Sequence, residues 1–540
     1  MGVFYYFQPA KGCGRSHNMK KPASDIHHLI KSLTAGEKKA FALYCSRYTR
    51  GEKNNYLKLY EAIQHQETYD EDKIKKQLDG KINIANFAVE KNNLYSIITQ
   101  SLNIYHRDQS TNTNLQELIR TAGIFIHKNL HQQAFLQLVK AEKIATTHEK
   151  LHVLLEVYRL KKMVLRASVN KKKHIELVRI VKAEKDCIAN MATLNAYESL
   201  SVQLFNFYLN SGASKKFKNS PDLLAIIKDP CFETYPAKGV PFKAHYSYFM
   251  CRLFYCLILD DYASSQKYSG SIVDLYESNP IHIKEEPKAY IGAIANLLSS
   301  RSYMTDFNEG NELLAKIKAV VFNEEFLLDD PFRGRILYTS YLSILNSYIM
   351  SGNFSRINSL LKDILMSMER FDKVVAHDMK YAMHYNIALS YFGNNLFKDA
   401  LSWLNKIIHS DKLEINDEKN SRARILYVVV HYELKNFDLL DYEIDAVIRY
   451  LRNAKFLTSS VRIFLMMLKK LLDVKTNTEQ YQILSSSLDT LREKEEPVST
   501  RTHVLEEFNM GAWMESKMKN MQYAEVIRKK FEAINKNRKK

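Results

Sequence analysis

The chain has 540 residues, of which only 16 are Gly and 10 are Pro, and no proline falls between Pro22 and Pro221. A mainly β fold needs far more turn residues than this, so the composition excludes one and favours helix. The net charge of +18 invites a nucleic-acid partner, although Tyr, Asn and Ile are abundant too and share AT-rich codons with Lys, so part of the excess reflects composition alone.

Residues 1–19 hold Pro9, Gly12 and Gly14 without an apolar period, which predicts a disordered or misassigned leader. The opening MGVFYYF lacks the basic start and long apolar run of a signal peptide, and Tyr6 fails the Ser/Thr requirement for myristoylation, so a cytoplasmic protein is expected. Periodic helix begins near Ser24. Thr34 and Glu37 form a capping box, in which each side chain satisfies an amide of the other's turn. Behind it Ala40, Phe41, Tyr44, Cys45 and Tyr48 share a face; Tyr56, Leu59, Tyr60 and Ile63 share another. Asp70 reads as the N-cap of a short helix reaching Leu78, and Phe87, Leu94, Ile98, Leu102 and Tyr105 mark a longer one. These elements predict an amino-terminal helical domain over residues 20–110.

The order IKSLTAGEKKAFALY, YLKLYEAI, YDEDKIKKQL and NFAVEKNNLYSIITQSL resembles the opening of a family of large helical-repeat proteins found in Bacteroidetes, over roughly residues 25–165. The resemblance implies the helical-repeat fold and brings no activity with it.

Beyond Asn114 helical pairs recur. Ala122, Phe125, Ala134, Leu138 and Ala141 alternate small and large residues around a turn at Lys128 to Leu130. Next comes His148-Glu149-Lys150-Leu151-His152, the HExxH pattern in which two His one turn apart bind zinc and the Glu acts as base. Against a metallopeptidase stand the charge of Lys150 inside the motif and a second capping box, expected between Thr146 and Glu149. From Arg159 to Lys218 thirteen Lys or Arg face four Asp or Glu, half of the whole net charge. Lys171, Lys172 and Lys173, with Arg179, are its candidate partner-binding residues. Such a cluster either grips phosphate or is a solvated helical face, and no groove-reading motif accompanies it.

The five residues Pro221, Pro230, Pro236, Gly239 and Pro241 make an irregular stretch, so a first solenoid half is expected over 111–227, a loop or hinge over 228–242, and a second half with a basic tail over 243–540. Tyr248 to Leu259 is the most apolar segment, but it is short and contains Arg252, which predicts a core helix and no membrane span. Tyr262, Phe307, Phe354, Phe397 and Phe437 recur at turns 40 to 47 residues apart.

The clearest pair is YAMHYNIALSYFGNNLFKDALSWLNKII, from Tyr381 to Ile408. Ile387, Ala388 and Tyr391 share one face, Gly393 to Asn395 break the run, and Phe397, Ala400, Leu401, Leu404 and Ile408 continue as a second stripe. Neither stripe can be buried by the pair alone, so it must stack on its neighbours. The stretch resembles a tetratricopeptide repeat, with Ala388 and Ala400 at the small positions, Tyr391 and Leu404 at large ones, and His384 where the repeat carries tryptophan. That resemblance implies a right-handed α-solenoid.

The fold class expected is therefore all-α, an amino-terminal helical domain followed by a tetratricopeptide-like solenoid. The six cysteines show no paired spacing and read as free thiols. No phosphate loop or GxSxG elbow occurs, and neither cofactor nor metal is expected. The function expected is a non-enzymatic scaffold or regulator that holds a protein or peptide on its concave surface. Nucleic acid held by the basic clusters is the alternative, and a zinc site at HEKLH a third.

Overall fold

The computed structural model describes residues 25–48, 55–79, 86–106, 111–167, 171–212, 214–302, 307–326, 328–409, 417–494 and 508–538, and it is all-α: among these residues there is no strand. The leader expected at 1–19 lies outside them. Two compact units divide the chain, one running to Asn195 and including Gly239–Phe242, the other holding Ala196–Lys238 and the chain from Lys243 onward.

The first unit opens with α1 (Asp25–Ser32), α2 (Ala35–Tyr48), α3 (Asn55–Gln64), α4 (Glu71–Gln77) and α5 (Phe87–Tyr105). They share a core of their own in which Ile30, Phe41, Leu59, Ile63, Leu94 and Ile98 are buried. The capping box at the start of α2 is present: the Thr34 amide donates to Glu37 at 2.7 Å and the Glu37 amide to the Thr34 hydroxyl at 3.3 Å. Asp70 caps α4 by accepting from the Lys73 amide at 3.0 Å. Then α6 (Thr111–His127), α7 (His131–Thr147), α8 (Leu151–Arg166) and the first part of α9 (Lys171–Ser211) enclose a second core. Ala122, Ala134, Ala141 and Ala145 are fully buried there, and their small side chains let α6 and α7 approach closely.

The second unit continues α9 and adds α10 (Pro221–Ile227), α11 (Pro230–Glu233), α12 (Phe242–Ile258), α13 (Tyr262–Glu277), α14 (Pro280–Glu285), α15 (Pro287–Ser302) and α16 (Phe307–Val321). After these come α17 (Asp330–Met350), a 3-10 turn at Phe354–Ser359, α18 (Leu361–Phe371), α19 (His377–Gly393), α20 (Phe397–Ile408), α21 (Asp417–Glu433) and α22 (Phe437–Asn453). The last are α23 (Ser459–Leu472), α24 (Asn477–Lys494), α25 (Met510–Met518) and α26 (Tyr523–Arg538).

One turn joins many of these helices. At Asn129, Glu149, Asp260, Gly352, Asn395, Lys435, Lys455 and Asn520 the backbone is left-handed, with φ between 50° and 69°. In each case the next amide reaches back five residues, as Leu130 does to the Phe125 carbonyl at 2.8 Å and Leu396 to Tyr391 at 2.9 Å. This 6→1 bond satisfies a carbonyl that the ending helix leaves open and reverses the chain within a few residues. Four of the spaced aromatics follow it: Tyr262, Phe397 and Phe437 open α13, α20 and α22, and Phe354 opens the 3-10 turn; Phe307 is the first residue of α16. Repetition of this device is what makes the architecture helical-repeat-like.

In α19 and α20 Ala388 and Ala400 are fully buried, as the small positions require. Gly393, the last residue of α19, leaves no room for a side chain, because a Cβ there would clash with the Phe354 ring. His384 packs on Trp403 with ring centroids 5.3 Å apart, and Lys406 Nζ stands 3.5 Å over that indole.

The end of the chain returns to earlier helices. Trp513 of α25 is fully buried and meets Tyr432 of α21 and Phe464 of α23 edge-on, at 5.5 and 5.7 Å. Phe508 meets Phe392 of α19, and its amide donates to the Tyr385 hydroxyl at 3.3 Å. Tyr523 of α26 packs on Phe354 and Phe392. Arg528 donates to the Gly352 carbonyl at 3.4 Å, just after α17. The α25–α26 hairpin thus touches α19, α21 and α23, the first helices of successive pairs, and the turn that follows α17. Helices α17 and α19 are correspondingly buried almost all round, where a solvated solenoid helix would show one polar face.

Candidate interaction surface

The basic candidates all lie on α9, and the helix sorts them. At 100° per residue, the buried Ile180 and Cys187 mark the inner side of its first half. Arg179 falls at the edge of the outer side, and Lys172 falls nearer the inner marks than the outer side, although both are exposed; Lys173 is turned inward and half-buried, and Lys171 is the first residue of the helix. Arg179 lies 3.8 Å from Glu176 on its own helix. Lys182 and Lys185 are exposed beside Arg179. The outer side is therefore basic along Arg179, Lys182 and Lys185, with the exposed Asp186 toward its edge, and Lys172 and Lys173 lie off it.

Apolar residues share that side. Ile175 is 64% exposed, Val178 59%, Val181 47% and Ile188 54%. Burying such side chains yields about 1.5–3 kcal/mol each, so a row of them left in water marks a surface poised to be covered. Charge alone drew attention to this helix in the sequence. The signal that identifies the aliphatic row is its three-residue spacing at Ile175, Val178 and Val181, out of phase with Ile180 and Cys187.

The inner side of α9 is fixed. Lys162 of α8 pairs with Glu184, and the Cys187 thiol donates to the Leu151 carbonyl at 3.4 Å. Beneath, Lys161 is buried, paired with Glu142 and 5.1 Å over the Phe135 ring. Burial and Glu142 push the Tyr158 hydroxyl up to about 12. These contacts hold the helix rigidly and present its outer side.

HEKLH does not lie on one helix. His148 is the C-cap of α7, Glu149 is left-handed with φ 51°, and His152 sits in the first turn of α8. The two imidazoles stand on opposite sides of a turn, where HExxH chemistry needs both on one helical face. The expected capping box is absent as well: the Glu149 amide donates to the Thr146 carbonyl at 3.2 Å, because Thr146 belongs to the last turn of α7 and not to the start of α8. The Glu149 carboxylate instead accepts the Phe242 amide at 2.6 Å. Among the described residues no three His, Cys, Asp or Glu converge as a metal site.

The described cysteines Cys45, Cys187, Cys231, Cys251 and Cys256 are free thiols. Burial pushes Cys45 up to about 11 and Cys251 and Cys256 up to about 12, so all three stay protonated and unreactive. No described helix is long and apolar enough to cross a membrane. Comparison of the chain with protein-family models, curated proteins and solved structures finds no match.

Proposed function

We propose that the chain is a non-enzymatic, tetratricopeptide-like scaffold that binds a partner protein in the cytoplasm. The observation carrying this reading is the outer side of α9, where Ile175, Val178, Val181 and Ile188 stand exposed among Arg179, Lys182 and Lys185. A solenoid commonly binds on its first helices. Here the first helices α19, α21 and α23 carry α25 and α26, which supports α9 over those helices as the binding surface. Free, buried thiols accord with a reducing compartment.

The alternative partner is nucleic acid, favoured by Arg179, Lys182 and Lys185 on one helical side. Phosphate binding has no use for the interleaved aliphatics. Purification of the full chain from its native cell separates the two readings. A protein should be retained after nuclease treatment and lost from the paired variant Val178→Asp, Lys182→Glu. Retention of nucleic acid alone, with affinity falling steeply as salt rises, would reverse the ranking.

A further inference from the structure

We infer that the outer side of α9 docks on the exposed acidic side of α22 in a second copy of this chain. The inference rests on α9 being an interaction surface and names what covers it. Helix α22 opens FDLLDYEID, four carboxylates without a cation, in a chain whose net charge is +18. Its inner side is fixed by the buried Leu440, Ile444, Val447 and Leu451. That turns Leu439 and Tyr442 outward, 45% and 67% exposed, flanked by Asp438 and Asp441, which are exposed as well. Lys469 of α23 holds Asp441 at 3.0 Å and Asp445 at 2.9 Å, which fixes the acidic side in place.

The two sides match in three respects. Both carry an apolar pair one helical turn apart, Ile175 with Val178 and Leu439 with Tyr442, and such ridges pack between helices. Arg179, Lys182 and Lys185 line one, and Asp438, Asp441 and Asp445 line the other, the last two shared with Lys469. Each apolar pair is exposed, with no cover among the described residues. Two like copies of α9 would bring lysine against lysine, which costs free energy. The complementary arrangement is heterologous, using two different surfaces, so every copy keeps one of each to offer. Charge pairing at its rim makes the association sensitive to ionic strength.

Sedimentation equilibrium of the full chain over a range of concentrations tests this. The parent should rise in mass with concentration at low ionic strength and revert to monomer when salt is added. Lys182→Glu with Lys185→Glu on α9 should abolish association, and so should Asp438→Lys with Tyr442→Lys on α22; thermal unfolding of these surface variants should match the parent. Mixed in equal amounts, the two variants retain one intact pair of surfaces between them and should form a complex that stops at two chains. A parent that is monomeric throughout, or association that survives either variant, or a mixture that stays monomeric, overturns the inference. A monomeric parent that still captures a different protein, lost on α9 substitution, would leave the scaffold reading standing and refute the self-association alone.

Discussion

The indole N–H of Trp513 donates to a carboxylate oxygen of Glu433 at 2.6 Å, joining residues 80 apart in sequence. Lys517, one turn after Trp513, reaches the other oxygen at 2.7 Å. A buried Glu is costly unless its oxygens are satisfied, and α25 supplies both donors. The terminal hairpin is thus keyed to α21 by a polar contact as well as by aromatic packing.

Trp513→Ala removes that donor and opens a cavity between Tyr432 and Phe464. A loss of about 3–5 kcal/mol is expected, read as an earlier thermal transition of the second unit. Glu433→Gln keeps an acceptor for the indole and should cost clearly less. If the two variants unfolded alike, the packing account of Trp513 would fail.

Gly352 and Gly212 make a controlled pair, because both are left-handed, with φ of 69° and 70°. A Cβ on Gly352 would stand 2.5 Å from the Ala524 carbonyl oxygen and 2.9 Å from the Arg528 amide, whereas one on Gly212 meets nothing within 4 Å. Gly212→Ala should therefore show backbone strain alone, about 1 kcal/mol. Gly352→Ala must in addition push α26 away and should cost at least ~1–3 kcal/mol more. Equal losses in denaturant unfolding would mean that α26 does not seat on Gly352.

Burial, with Lys406 close by, pulls the His384 imidazole down to about 4 from its usual 6.5. Burial lowers His431 and His245 as well. Between pH 6.5 and 4 the unfolded chain binds the proton that folded His384 refuses, so stability falls as pH drops through this window and is fully retained above it. His384→Leu should flatten that part of the stability curve, leaving the smaller contributions of the other two histidines. A variant that still lost stability as steeply as the parent would show that His384 is not held neutral.

Local patterns were legible in the sequence and long-range ones were not. The Thr34–Glu37 box, the Asp70 cap and the Tyr381–Ile408 pair all depend on residues within one or two turns, and the structure shows each of them. The aromatic spacing marked where second helices begin, because an aromatic follows the same left-handed turn repeatedly. The capping box expected between Thr146 and Glu149 failed because the helix boundary falls inside HEKLH, where Glu149 takes a left-handed φ that is rare for a residue with a side chain. The return of Trp513 and Tyr523 to α19, α21 and α23 has no local signal at all. On α9 the density of lysine drew attention away from Ile175 and Val178, whose exposure depends on which side α8 covers.

Ala400 is fully buried where α20 opens against α19. Ala400→Leu inserts three carbons into a close-packed contact and should cost roughly 1–3 kcal/mol. Thermal unfolding equal to the parent's would show that the helices have room between them.

The last prediction concerns Glu149, which the structure casts as a turn residue whose carboxylate accepts the Phe242 amide at 2.6 Å. A hydrogen bond to a charged group contributes about 1.5–3 kcal/mol, so Glu149→Ala should destabilise the first unit by an amount of that order. Glu149→Gly loses the same bond but relieves the left-handed backbone, where glycine is unstrained, and should lie closer to the parent than Glu149→Ala. A zinc base would behave otherwise: both substitutions would spare stability, and metal analysis of tag-free protein would find zinc at one per chain, lost when His148 and His152 are replaced by Ala. Because a left-handed turn separates the two imidazoles, we expect no stoichiometric zinc and the stability order parent, Glu149→Gly, Glu149→Ala.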